Sequence, residues 1–215
     1  MSLQYSKIGS VGVLVEAQSA QQSLVSLDLP ELRALFEREH LLVLRGFRSF
    51  ERVDAFTEYC ELWGEISLWP FGKVLELVEQ KQPEDHIFDS NYVPLHWDGM
   101  YRPEVPEIQI FHCVSAPGEN AGGRTTFSNT AIAYARASET DRARWAGVRG
   151  VYERKMEFYH SKSVAPIVTK HPTRGYTVMR YCEPPKEGDS AFINHPLFSF
   201  EGIPESETRE FTQSM

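Results

Sequence analysis

No apolar run in this chain approaches the roughly 20 residues that a membrane-crossing helix needs, so no membrane partner is expected. Residues 1–10 are polar and carry neither the basic nor the apolar region of a secretory signal, and a cytoplasmic protein is expected. Cysteine is scarce: Cys60, Cys113 and Cys182 are odd in number, and none forms a C-x-x-C pair. That argues against a disulfide framework or a zinc knuckle and leaves small, buried, reduced side chains. Basic residues are outnumbered, 22 Lys and Arg against 30 Asp and Glu, for a formal net charge of -8. No basic cluster is long enough to follow a phosphate backbone, so nucleic acid is not an expected partner. There is no internal repeat and no low-complexity segment.

What is present is globular composition. The 215 residues, 41% apolar and 24% charged, suffice for one substantial domain with a core. Residues 11–15 and the apolar run Leu41-Leu42-Val43-Leu44 read as strands, the second buried and closed by Gly46. Between them, Asp28 is placed to cap a helix with Pro30 in its first turn and Leu32, Leu35 and Phe36 as its apolar stripe. Ser49 is the expected cap of a second helix, with Phe50, Val53, Phe56, Cys60 and Trp63 at helical spacing and Gly64 closing it. Residues 74–78, 124–127 and 148–156 read as further strands, and residues 107–114 alternate with apolar groups on both faces, as a strand covered on both sides would. Asn129 or Thr130 and then Ser138 are candidate caps for two helices, and residues 167–169 and 176–181 flank turn chemistry as a hairpin does. Pro204 opens a last helical pattern that runs to Met215 without a cap, and the expectation is a domain truncated at its C-terminal end. Repeated short strands with Gly and Pro punctuation point to a β-sandwich or barrel with helices packed outside.

One stretch looks built for chemistry: Asn91-Tyr92-Val93-Pro94-Leu95-His96-Trp97-Asp98-Gly99-Met100-Tyr101. In extended backbone, side chains at i and i+2 share a face, so His96 and Asp98 project together and Trp97 the other way. Pro94 lacks a ladder N–H, which places the pair on a strand end or a rim loop. One imidazole and one carboxylate are two thirds of the facial set that holds non-haem Fe(II) with positions left open. With 7 histidines and 30 acidic residues, on the order of one H-x-[DE] triplet arises by chance. On spacing alone, exposed polar residues are therefore the other reading of the pair. Downstream, Gly122 and Gly123 would let backbone approach a bound molecule, and Thr125 or Thr126 carries a hydroxyl able to bond a carboxylate.

The motifs His96-Trp97-Asp98-Gly99, Pro117-Gly118 and Gly122-Gly123-Arg124-Thr125-Thr126-Phe127 resemble the taurine dioxygenase class of Fe(II)/2-oxoglutarate oxygenases. Residues 41–47 (LLVLRGF), 68–79 (LWPFGKVLELVE), 85–101 (DHIFDSNYVPLHWDGMY) and 182–189 (CEPPKEGD) narrow the resemblance to the dioxygenases of isonitrile biosynthesis, the paerucumarin type. The resemblance covers nearly the whole chain. It implies an α+β, β-rich fold with a double-stranded β-helix (jelly-roll) core, as one oxygenase domain over residues 1–215. It implies Fe(II) as cofactor with His96 and Asp98 as ligands, 2-oxoglutarate as cosubstrate with Thr125 on its distal carboxylate, and O2 with a tyrosine-derived isonitrile as substrates. Related halogenases put a small residue where Asp98 stands, so oxygenation or desaturation is implied, with or without loss of the substrate carboxylate. Tyr92 and Tyr101 flank the motif as candidate contacts for a phenol ring, and Arg180 is a candidate partner for a carboxylate, if it faces the pocket.

The family's second histidine and its 2-oxoglutarate-binding arginine lie late in the domain, and the resemblance puts both beyond Met215. His112 and His160 do not match that distal motif, and His171 and His195 each precede a proline in turn-like sequence. Two alternatives accompany the isonitrile reading. One is a hydroxylase of the same fold acting on another small amino-acid-like substrate. The other is a non-catalytic β-sandwich binding protein with a vestigial metal site. Oligomeric state is not encoded in any of these patterns.

Overall fold

The computed structural model describes residues 3–88, 90–156, 159–183, 194 and 197–215. His195 and most of the CEPPKEGD segment lie outside the described residues. The chain divides into two compact units, Met1–Val74 and Leu75–Met215.

The first unit holds a three-stranded sheet, β1 (Tyr5–Lys7), β2 (Val13–Glu16) and β3 (Leu42–Arg45), in that order. β1 runs antiparallel to β2, and β2 parallel to β3. Parallel neighbours need a crossover, and helix α1 (Leu29–Glu39) lies within it. The helix starts where its sequence says: the Asp28 carboxylate accepts from the Glu31 N–H at 2.8 Å, and Pro30 occupies the first turn. Leu35 joins Val13 and Val15 in the core, flanked by Leu42, Leu44 and Phe47. β3 is half-buried rather than fully buried. Helix α2 (Val53–Glu61) differs from expectation at both ends, with Arg52 rather than Ser49 at its N-cap position and Leu62 rather than Gly64 at its C-cap. Asp54 in the first turn complements the helix dipole and pairs with Arg52 at 2.7 Å. Phe50 still packs on the helix, against Phe56 and Tyr59.

In the second unit, β4 (Arg149–Met156) is the centre of an antiparallel sheet of order β5-β4-β8, with β5 (Tyr159–Pro166) and β8 (Leu197–Glu201) at its edges. A hairpin pairs β6 (Val168–Lys170) with β7 (Thr177–Met179), close to the expected segments. Helices α3 (Thr130–Arg136) and α4 (Glu139–Ala146) carry the caps read from sequence: Asn129 accepts from the Ile132 N–H at 3.1 Å and Ser138 from the Asp141 N–H at 3.0 Å. Helix α5 (Thr208–Gln213) buries Phe211 against Trp145, Val148, Ile167 and Met179. A second cluster, Met100, Tyr152 and Cys182 with Trp97 and Tyr101 packed against it, supports the candidate site.

Several expected strands do not form. Residues 74–78, 107–114 and 124–127 take no place in a ladder. Extended backbone becomes a strand only when a neighbour accepts and donates its hydrogen bonds, and among the described residues none pairs with these segments. Phe111 and Val114, expected under cover, are 62% and 87% exposed. Cys113 is exposed and Cys60 half-buried, so only Cys182 is the buried thiol expected of all three. β1, β5 and β8 are strands that sequence reading missed; the Ser and Lys alternation of β5 hid it. The molecule is a mixed helix and sheet protein, and no described helix is long and apolar enough to cross a membrane.

Candidate metal centre

The loop that carries His96 and Asp98 has no regular secondary structure, so its shape is set by contacts along its length. At its start, the Glu183 carboxylate accepts from the Tyr92 hydroxyl and from the Leu95 N–H, each at 3.2 Å, while the Glu183 N–H donates to the Leu95 carbonyl at 2.8 Å. At its end, the hydroxyls of Ser163 and Ser161 on β5 donate to the carbonyls of Met100 and Tyr101. Gly99 takes φ +83°, and a Cβ there would lie 2.6 Å from Cδ of Pro106. Only glycine fits the turn that follows Asp98.

Upstream, Asp85 is 3% exposed and ion-paired with the buried guanidinium of Arg154 on β4. Its carboxylate also receives Asn194 Nδ2 at 3.1 Å and the Ile87 N–H at 3.2 Å, and His86 Nδ1 lies 3.0 Å from it. Burial alone would raise the Asp85 carboxyl. The adjacent His86 ring, the bond from the Ile87 N–H and the charge of Arg154 outweigh it and hold the group below the usual carboxylate range.

Within this frame His96 and Asp98 converge, with Nε2 of the ring 3.6 Å from Oδ1 of the carboxylate. The other ring nitrogen, Nδ1, lies 2.8 Å from the Pro94 carbonyl. A carbonyl can only accept, so Nδ1 holds the proton and Nε2 presents its lone pair beside Asp98. The adjacent carboxylate raises the ring's proton affinity, burial opposes it, and the Pro94 carbonyl adds to the rise. The side chains are 37% and 46% exposed, open to a small molecule. Trp97 packs on the opposite side, edge-to-face on Tyr152 at 5.6 Å. A nitrogen and an oxygen donor meeting in this way, with the tautomer already set, fit a divalent iron.

The other candidates are placed less decisively. Thr125 stands in an exposed stretch, and among the described residues no hydrogen bond links it to His96 or Asp98. Gly123 takes φ +70°, and a Cβ there would meet Cγ of Pro117 at 2.8 Å. Its glycine therefore serves a local turn. Tyr92 is held by Glu183 at the loop's entrance, and Tyr101 is half-buried beside the Met100–Tyr152–Cys182 cluster, its phenol pushed far up by burial. Arg180 lies over the Trp97 ring, 5.5 Å from its centroid. His160 pairs with Glu153 at 2.7 Å and His171 rests on Tyr176. Among the described residues no third His, Cys, Asp or Glu joins the pair. Glu183, Asp85, Arg154, Ser161 and Ser163 escaped sequence reading. Each acts across 60 residues or more of chain, and no local pattern marks such contacts.

Comparison with known proteins gives a consistent picture. A family model described as taurine catabolism dioxygenase TauD, TfdA family, matches residues 10–214. A tyrosine isonitrile desaturase of Pseudomonas aeruginosa is 48% identical over 204 residues, covering 95% of this chain and 70% of that protein. A tyrosine isonitrile desaturase of Erwinia amylovora is 48% identical over 198 residues, covering 92% of this chain and 68% of that protein. Among solved structures, PvcB, described as an Fe, alpha-ketoglutarate dependent oxygenase from an isonitrile synthetic pathway, superposes with a TM-score of 0.79 at 41% identity. That match covers 100% of this chain and 74% of that one.

Proposed function

The chain belongs to the TauD, TfdA dioxygenase family, and from that premise we propose that it is an Fe(II)- and 2-oxoglutarate-dependent oxygenase that desaturates a tyrosine-derived isonitrile in natural-product biosynthesis. The observation that carries the reading is the meeting of His96 Nε2 and Asp98 Oδ1 at 3.6 Å, with Nδ1 held by Pro94. The likeness to the desaturases and to PvcB supports the substrate class and a jelly-roll core. The family match runs across both compact units, which supports one oxygenase domain. Three free cysteines are in keeping with a cytoplasmic setting.

His96 and Asp98 are two of the iron ligands in this reading. Bound iron with 2-oxoglutarate supplies the oxidant, so that 2-oxoglutarate, O2 and substrate become succinate, CO2, water and a product two hydrogens poorer. The chain's part is to hold and exclude. Pro94 fixes the tautomer that leaves Nε2 as donor. Glu183, Ser161 and Ser163 fix the loop, so the pair need not be ordered when substrate arrives. Thr125 takes the distal carboxylate of 2-oxoglutarate, and Tyr92 and Tyr101 offer aromatic faces and hydroxyls to a phenol.

The test uses the full-length protein. Anaerobic addition of Fe(II) and 2-oxoglutarate is expected to give a visible metal-to-ligand charge-transfer band. With O2 and tyrosine isonitrile, succinate release should accompany a product lacking two hydrogens. A gain of one oxygen instead would favour the hydroxylase reading, and no band at all would defeat both.

A further inference from the structure

We infer that Glu183 is a positioning residue for His96: from outside the loop it fixes the peptide planes on both sides of Leu95, and through them the aim and the tautomer of the imidazole. The inference rests on the function proposed above. It goes past bracing of the loop, because it assigns Glu183 to one of the two donors and to a measurable property of that donor.

A peptide unit is planar and turns as one body. The unit between Pro94 and Leu95 carries the Pro94 carbonyl and the Leu95 N–H. The unit between Leu95 and His96 carries the Leu95 carbonyl and leads to the Cα of His96. Glu183, 88 residues away in sequence, bonds both: its carboxylate accepts from the Leu95 N–H at 3.2 Å, and its own N–H donates to the Leu95 carbonyl at 2.8 Å. The first plane is the one whose carbonyl lies 2.8 Å from His96 Nδ1. Rotation of that plane would swing the carbonyl off the ring and leave the Nδ1 proton without its acceptor. A neutral imidazole carries its proton on one nitrogen or the other, and a proton on Nε2 removes the lone pair presented beside Asp98. The second plane sets the direction in which the His96 side chain leaves the backbone.

Glu183 is itself held at both ends. The Tyr92 hydroxyl shares the carboxylate oxygen that takes the Leu95 N–H, at 3.2 Å. A carboxylate only accepts, so the hydroxyl is the donor. On the backbone side, Cys182 is 4% exposed and packs with Met100 and Tyr152, the cluster that also seats Trp97. What this geometry asks of side chain 183 is an acceptor oxygen at the right reach, and a neutral amide of the same length supplies one.

The experiment uses the full-length protein as wild type, Glu183→Ala, Glu183→Gln and Tyr92→Phe, with two readouts. In the metal-free protein, nitrogen chemical shifts of the His96 ring, taken with the ring neutral, report which nitrogen holds the proton. Anaerobic Fe(II) titration with 2-oxoglutarate present, followed by the charge-transfer band, reports affinity. Wild type should hold the proton on Nδ1. Glu183→Ala should move a measurable share of it to Nε2 and weaken Fe(II) roughly 10- to 100-fold, the loss expected when a group that orients a metal-ligating histidine is removed. Glu183→Gln should restore most of both readouts. Tyr92→Phe should move both in the same direction by less, and should add nothing in the Glu183→Ala background. Iron binding weakened with the proton still on Nδ1 would make Glu183 a general brace of the loop. Equal losses in Glu183→Ala and Glu183→Gln would make its charge the cause. Unchanged readouts in Tyr92→Phe would remove the carboxylate from control of His96, and that variant decides the matter if Glu183→Ala does not fold. Each of these results overturns the inference and leaves the oxygenase reading intact. Wild type without a charge-transfer band defeats the oxygenase reading instead, and the ring shifts of the metal-free protein still judge Glu183.

Discussion

At the scale of single residues, the site depends on two donors and on the groups that hold them. His96→Ala or Asp98→Ala in the full-length protein should lower succinate release by on the order of 1,000-fold or more. The far-ultraviolet circular dichroism should stay unchanged, because both side chains are exposed and bear no packing load. Arg154→Met is expected to do the reverse. It leaves a buried Asp85 carboxylate without its cation, a loss of about 3–5 kcal/mol, and should lower the melting temperature before any effect on chemistry is considered. Its sign with pH can be worked out. Asp85 is depressed in the folded state, so its contribution is complete above the unfolded value of about 3.9 and fades as pH falls through the lower folded value. A protonated Asp85 needs no counter-ion. The gap in melting temperature between wild type and Arg154→Met should therefore narrow as pH is lowered below about 4. A gap independent of pH would show that Arg154 acts through packing alone.

At the scale of elements, what could be read from sequence was what is local. Asp28, Asn129 and Ser138 cap the helices they were expected to cap, because a cap is decided by a side chain and an N–H two or three residues away. Asp28→Ala should cost about 1 kcal/mol, measured by denaturant unfolding. The His96 and Asp98 pair was legible for the same reason: two residues of spacing bring both to one side. Ser49 does not cap because helical backbone begins only at Val53; Arg52 stands at the N-cap position without a side-chain capping bond, and cap propensity does not decide where a helix starts. Residues 107–114 failed as a strand because alternation describes a face but does not provide a neighbour. The metal loop combines both cases. Its two candidate ligands are local, but Glu183, Arg154 and the β5 serines that brace it come from far along the chain. Gly99 is where the local and distant constraints meet. Gly99→Ala would force a left-handed backbone on a side chain that also overlaps Pro106. Iron affinity should fall together with stability, whereas His96→Ala loses iron and keeps stability. Equilibrium unfolding with and without Fe(II) separates the two.

At the scale of the whole molecule, protection should follow the division between paired and unladdered backbone. β4 is bonded on both sides, to β5 and to β8, and Tyr152 at its middle is buried under Trp97. Residues 122–128 contribute no N–H to a ladder and are exposed throughout, and the apolar Phe111 and Val114 of the 107–114 stretch face solvent. Amide exchange reports this directly, since protection requires both a hydrogen bond and an opening that costs free energy. In the 215-residue chain, amides of residues 122–128 should exchange within seconds at neutral pH, while those at the centre of β4 should be slower by several orders of magnitude. This map bears on the chemistry, because Thr125 sits in the fast region and His96 and Asp98 sit on a loop tied to the slow one. Iron bound by the pair should then slow exchange around residues 95–101 and leave residues 122–128 unaffected, whereas 2-oxoglutarate should slow both if Thr125 holds its distal carboxylate. Protection of residues 122–128 equal to that of β4 without any ligand would mean that the strand expected over residues 124–127 does form. Thr125 would then be held in place before the cosubstrate binds.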